Sequence, residues 1–142
     1  MMPTTYFGIL LLVTLGGFFS PFRYVKPPLT YLGAIPIVFG FVFNLWADSL
    51  LKKRATTIKP NKKPTSFESG GPFRISRHPI YLGMVLILIG TAIITGCLMI
   101  SVTSLIFAVI METKFIPLEE KNMEKVFGKK YLDYKKRVRK WI

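Results

Sequence analysis

Apolar residues fill positions 6–19, 31–46 and 80–111, while lysine and arginine gather in 52–77 and 121–140. Long apolar runs bounded by basic blocks are the pattern of helices that cross a bilayer, with the basic segments on its cytoplasmic side. A bilayer core of ~30 Å takes about 20 helical residues to cross. The third run is too long for one crossing, since as a single helix it would reach roughly 48 Å. Thr95-Gly96-Cys97 sits near its middle. The pattern therefore predicts two antiparallel helices joined by a tight turn at Gly96. Spans are expected at about 4–19, 29–51, 77–95 and 98–116, which makes an all-α integral membrane protein with four transmembrane helices.

An even number of crossings puts both ends of the chain on one side. Lys52, Lys53, Arg54, Lys59, Lys62, Lys63, Arg74 and Arg77 lie in the second connection, against Arg23 and Lys26 in the first. The second connection and both termini are thus expected to be cytoplasmic. The first apolar segment lacks a small-residue cleavage pattern and is followed by Ser20-Pro21-Phe22-Arg23, so it reads as a retained span.

Past Pro117 the pattern changes. Met123, Phe127, Tyr131, Tyr134, Val138 and Trp141 recur every three or four residues, and Lys121, Lys125, Lys129, Lys135, Lys136 and Arg139 occupy much of the remaining surface. This predicts a C-terminal amphipathic helix, bent or interrupted at Gly128. It would lie on the membrane surface, its basic face toward anionic headgroups, or fold its apolar face back over the helix ends as a lid.

Composition agrees with this arrangement. Just over half of the 142 residues are hydrophobic, yet the formal net charge is +13. Because charge and apolar residues are segregated along the chain, the basic excess reads as membrane topology and not as a nucleic-acid surface. The length fits one domain over 1–142, with helices packing on helices in lipid. Cys97 is the one cysteine, which rules out an intrachain disulfide, and no Cys/His cluster offers a metal site.

Polar chemistry meets the apolar run at Gly71-Pro72-Phe73-Arg74-Ile75-Ser76-Arg77-His78-Pro79-Ile80-Tyr81. Pro79 suits a first helical turn. His78, the one histidine, then stands at the helix entrance, where backbone donors and the positive end of the helix dipole favour a bound carboxylate or phosphate. Arg77, Tyr81 and the Gly70-Gly71 turn add to its candidacy over an interfacial histidine bonded to a carbonyl. Glu119 and Glu120 return to the same face after the fourth span. Their plain role is dipole compensation in a first turn; with His78, they could also hold a cation with one carboxylate and an anion nearby. Asn44 and Asp48 share a face of the second helix, either lining the pocket or, for Asp48, pairing with Lys52 four residues on. Gly83 and Gly90, two turns apart, read as close helix packing.

The Gly-Pro-Phe-Arg-Ile-Ser-Arg-His-Pro-Ile-Tyr sequence at 71–81, the helical hairpin, Pro117-Leu118-Glu119-Glu120 and Phe127-Gly128-Lys129-Lys130-Tyr131-Leu132-Asp133-Tyr134 resemble the isoprenylcysteine carboxyl methyltransferase and phospholipid methyltransferase superfamily over about residues 58–142. The resemblance implies S-adenosylmethionine as cofactor, bound at the cytoplasmic face by Thr65, Ser66, Phe67, Glu68, Phe73, His78, Tyr81 and Glu119, with the C-terminal segment closing over it. Arg77, Glu120, Phe115, Asn44 and Asp48 are further pocket candidates. Carboxyl-methylating members carry an arginine where this chain has Phe115, so the resemblance leads to a lipophilic or lipid-like acceptor other than a prenylcysteine carboxylate. A methyl transfer of this kind needs little side-chain chemistry beyond alignment of donor and acceptor, and the sequence assigns no catalytic residue. Alternatives are a noncatalytic bundle that binds lipid or protein through its basic tail, a reductase of related architecture, or a small dimeric transporter.

Overall fold

The computed structural model describes residues 3–16, 24, 26–53 and 68–142, and all of the regular structure among them is helical. Helix α1 spans Pro3–Gly16, and a 3₁₀ turn at Leu29–Gly33 leads into α2, Ala34–Lys53. Helices α3 (Pro79–Thr95) and α4 (Leu98–Ile110) form the hairpin expected from the long apolar run. Its turn is made by Gly96 in the left-handed region (φ 61°), which closes α3 by donating its N–H to Ala92 O and Ile93 O. The Tyr24 N–H donates to Gly96 O at 2.7 Å and its hydroxyl meets Ser101 Oγ at 2.8 Å, so Tyr24 lies at this same end.

Two glycine pairs set the distance between the antiparallel helices α2 and α3. A Cβ on Gly33 would stand 2.5 Å from Gly90 O, and one on Gly40 would stand 2.5 Å from Gly83 O. With no apolar gain from leaving lipid, helices in a bilayer associate through such close backbone approach. Gly83 and Gly90 play the packing role expected of them, and Gly33 and Gly40 are their partners. On the other side of α3, the core is built from Tyr81, Met84, Leu88, Phe107, Met111 and Ile116, with Tyr6, Phe7 and Leu10 of α1 against it. The rings of Phe7 and Phe107 meet edge to face at 5.9 Å.

The outer faces stay apolar. Val38, Phe39, Phe41, Val42, Leu45 and Trp46 of α2 are exposed, as are Val102, Leu105, Ile106 and Val109 of α4. Patches of this extent mark a membrane or partner surface. By length and apolarity two runs qualify as spans, Leu29–Lys53 and Ile100–Phe127, while Pro3–Thr14 and Pro79–Thr95 are apolar but shorter. Helix α3 starts two residues later than expected, which leaves Arg77 and His78 ahead of it.

The fourth helix does not stop before Pro117. It passes through a π turn at Met111–Phe115 and continues as α5, Ile116–Phe127. A proline has no N–H to give and its ring clashes with the carbonyl four residues back. The π turn absorbs this by a wider step, in which Ile116 N–H donates to Met111 O five residues back. The run from Leu98 to Phe127 is therefore about 45 Å long, well beyond a ~30 Å bilayer core. The expected tail helix is in turn two helices. Gly128, at φ 50°, breaks it where the sequence indicated, and α6 (Lys129–Arg137) folds back so that Tyr131 and Tyr134 are buried. The segment folds back over the helix ends, as the lid-like alternative has it.

Candidate functional site

The end of the bundle that carries the α2 C-terminus, the α3 N-terminus and the π turn is closed by α5, α6 and the last residues of the chain. The approach to α3 begins at Gly71, whose φ of +52° favours glycine and whose missing Cβ leaves room for Trp46 and Leu50 of α2. A 3₁₀ turn over Gly71–Arg74 follows. Ser76 is fully buried and joins two segments. Its hydroxyl donates to Lys140 O at 3.1 Å and accepts the His78 N–H at 3.2 Å.

His78 is 5% exposed and sits between the two glutamates. Its Nε2 lies 3.4 Å from Glu120 Oε1, and its Nδ1 lies 3.6 Å from Glu119 Oε2. Its ring stacks on Tyr81 with centroids 5.7 Å apart and planes 9° from parallel. Burial works against a charged imidazole, but the facing carboxylates of Glu119 and Glu120 outweigh it and hold the His78 pKa above its ordinary value of 6.5.

Glu120 is fully engaged. Arg77 Nη2 pairs with its Oε1 at 3.0 Å and Lys135 Nζ with its Oε2 at 2.8 Å. Lys135 also reaches Glu124 at 2.8 Å, and hydrogen bonds to both carboxylates raise its pKa. Glu119 differs, because its Oε2, shielded from solvent, has the 3.6 Å contact with His78 Nδ1 and no closer hydrogen bond, and Arg77 Nε in the same cluster has no hydrogen bond either. The cluster thus keeps a buried acceptor and a buried donor that no protein group bonds at close range.

Of the residues singled out from sequence, Arg77, His78, Tyr81, Glu119 and Glu120 come together here. Phe73 joins through its carbonyl, which accepts the Tyr134 hydroxyl at 2.5 Å. Burial pushes the pKa of that phenol up. The Glu68 carboxylate accepts the N–H groups of Ser69 and Gly70, at 3.1 and 2.8 Å, and so shapes the turn before the site. Phe115 faces the apolar core, edge to face with Tyr6 at 5.7 Å. Asn44 lies against Gly83 within the α2/α3 seam. Asp48 makes the helical ion pair with Lys52 at 2.6 Å. Thr65, Ser66 and Phe67 fall outside the described residues.

Sequence reasoning missed the partners that Glu112 and Lys135 find at this end. Tyr134 carried a signal, its place on the apolar stripe of the tail. The contacts of Glu112 join residues 28 and 29 positions apart, for which no local pattern exists. Next to the cluster, an open apolar groove of about 350 Å³ runs between α2 and α3, lined among others by Ile35, Phe39, Phe43, Ile75, Leu82 and Ile142.

Comparison with known proteins matches the chain to one family. Over 90 residues the chain is 33% identical to methanethiol S-methyltransferase from Pseudomonas deceptionensis, an alignment covering 62% of this chain and 33% of that protein. The chain thus spans about a third of the length of that curated relative. No solved structure matches it. The sequence model of the phospholipid methyltransferase family matches residues 29–130, from the first turn before α2 through both glutamates to the start of α6. With most of the chain covered, including the histidine and both carboxylates of the cluster, the protein belongs to the phospholipid methyltransferase family.

Proposed function

We propose that the protein is an integral membrane enzyme that transfers a methyl group from S-adenosylmethionine to a small lipophilic or lipid-like acceptor, at a site on the cytoplasmic face. The observation that carries this reading is the His78–Glu119–Glu120 cluster, in which Glu119 Oε2 faces His78 but makes no close hydrogen bond. S-adenosylmethionine supplies a methyl group already activated on a sulfonium. The residues present fit it. Glu119 offers an acceptor for the ammonium or a ribose hydroxyl, Arg77 Nε offers a donor for the carboxylate, and Phe73 stands near as an aromatic surface. His78 faces two carboxylates, so its part is to orient Glu119 and Glu120, while Arg77 and Lys135 hold Glu120 in place.

The basic residues of the cluster end support a cytoplasmic location by the positive-inside rule, and four spans with both ends on that side fit the antiparallel order of the helices. The apolar groove between α2 and α3 supports a lipophilic acceptor. The relative named for methanethiol makes a small thiol the first acceptor to assay, beside a phospholipid amine. The test is calorimetric titration of S-adenosylmethionine into detergent-purified protein, with folded His78→Ala and Glu119→Ala variants alongside. Binding by the wild type and its loss in both variants is the expected result. No binding by well-folded wild type, in detergent or in nanodiscs, would return the protein to the noncatalytic bundle.

A further inference from the structure

The π turn aims one carboxylate at the end of the chain. Glu112 uses both oxygens on adjacent residues, receiving Lys140 Nζ on Oε1 at 2.6 Å and the Trp141 indole N–H on Oε2 at 2.9 Å. The segment so held meets the loop before α3 through its backbone. Arg139 O accepts the Arg77 N–H at 3.1 Å, and Lys140 O accepts the Ser76 hydroxyl, which itself accepts the His78 N–H. Four consecutive residues, 139–142, therefore bridge the π turn of the fourth helix to the turn that presents His78. Ile142 ends the bridge among the apolar side chains of the α2/α3 groove.

From this geometry we infer that Glu112 is a positioning residue for the methyl-donor site, acting through residues 139–141 to hold Ser76, Arg77 and His78 where they meet Glu119 and Glu120. The inference rests on the reading of the site given above. An exposed ion pair alone would count for little. Here one carboxylate sets two donors at once, and the segment they fix supplies the acceptors for the buried Ser76 hydroxyl and the Arg77 N–H, groups that are costly to leave unmade. The π turn is part of the device. It rewinds the helix just ahead of Pro117, and such turns recur at functional sites.

Trp46 and Trp141 are the two tryptophans of the chain, so Trp46→Phe, once shown to bind S-adenosylmethionine as the wild type does, leaves Trp141 as the reporter of the docked segment. In that background Glu112→Leu is expected to shift Trp141 emission to the red, speed tryptic cleavage after Arg137 and Arg139, and weaken S-adenosylmethionine binding about tenfold or more. Glu112→Gln, which keeps an acceptor for the indole, is expected to recover part of the affinity. Should Glu112→Leu not fold, Lys140→Met with Trp141→Phe breaks the same contacts from the other side, read by cleavage and affinity. Wild-type affinity in the folded variants overturns the inference, as does unchanged Trp141 emission. If the wild type binds no S-adenosylmethionine, the methyl-donor reading falls first. Emission and cleavage then still decide whether Glu112 docks the segment.

Discussion

Arg77 and Glu120 form an ion pair at 3.0 Å in which both side chains are less than a tenth exposed, 7% and 9%. The pair ties the residue before His78 to the helix that follows the π turn, and Lys135 shares the same carboxylate. Removing one member of a buried pair strands the other charge, a loss of about 3–5 kcal/mol. Glu120→Ala and Arg77→Ala are each expected to lower the melting temperature in detergent strongly. Because they share one interaction, the double variant should lie well short of the sum of the two. Additive losses would mean that the pair is not coupled.

The glycine seam between α2 and α3 admits no side chain. Gly40→Val places carbons where Gly83 O already stands, and overpacking costs about 1–3 kcal/mol or more. Gly8 of α1 has nothing within 4 Å of its would-be Cβ. Thermal melts should therefore show Gly40→Val well below wild type and Gly8→Ala at or near it. Equal melting of the two would contradict this packing.

The Tyr134 hydroxyl reaches across to Phe73 O. Tyr134→Phe keeps the ring and leaves a part-buried carbonyl without its donor, a loss of about 1–3 kcal/mol. Hydrogen exchange of the 70–76 segment is expected to quicken in this variant while exchange within α4 stays unchanged.

His78 gives the cluster a pH dependence of known sign. Its folded pKa is raised above the ordinary 6.5 by Glu119 and Glu120, against the opposing effect of burial. The stability it contributes is thus fully present below the unfolded value and is lost as pH rises through the folded one. As pH rises above the ordinary histidine value of 6.5, the wild-type melting temperature should fall in a step that His78→Gln lacks. A rising wild-type curve over that range would reverse the assignment.

Much of this protein was legible in its sequence because the physics involved is local. Apolar runs and basic blocks define helices and their ends, a glycine in the left-handed region turns the α3/α4 hairpin at Gly96, and another breaks the tail at Gly128. The Arg-His-Pro-x-Tyr and Glu-Glu sequences named the residues that meet, Arg77, His78, Tyr81, Glu119 and Glu120. What the sequence could not carry were relations across distance. Pro117 looks like a stop for the fourth helix, yet a π turn lets the helix continue, since packing of Met111 and Ile116 in the core favours one unbroken run. Two adjacent glutamates look alike in sequence. Only the arrival of Arg77 and Lys135 from other segments commits Glu120 to two cations and leaves Glu119 Oε2 with His78 alone. Hydrophobic periodicity is written residue by residue, whereas the partner of a buried charge is chosen by how the helices come together.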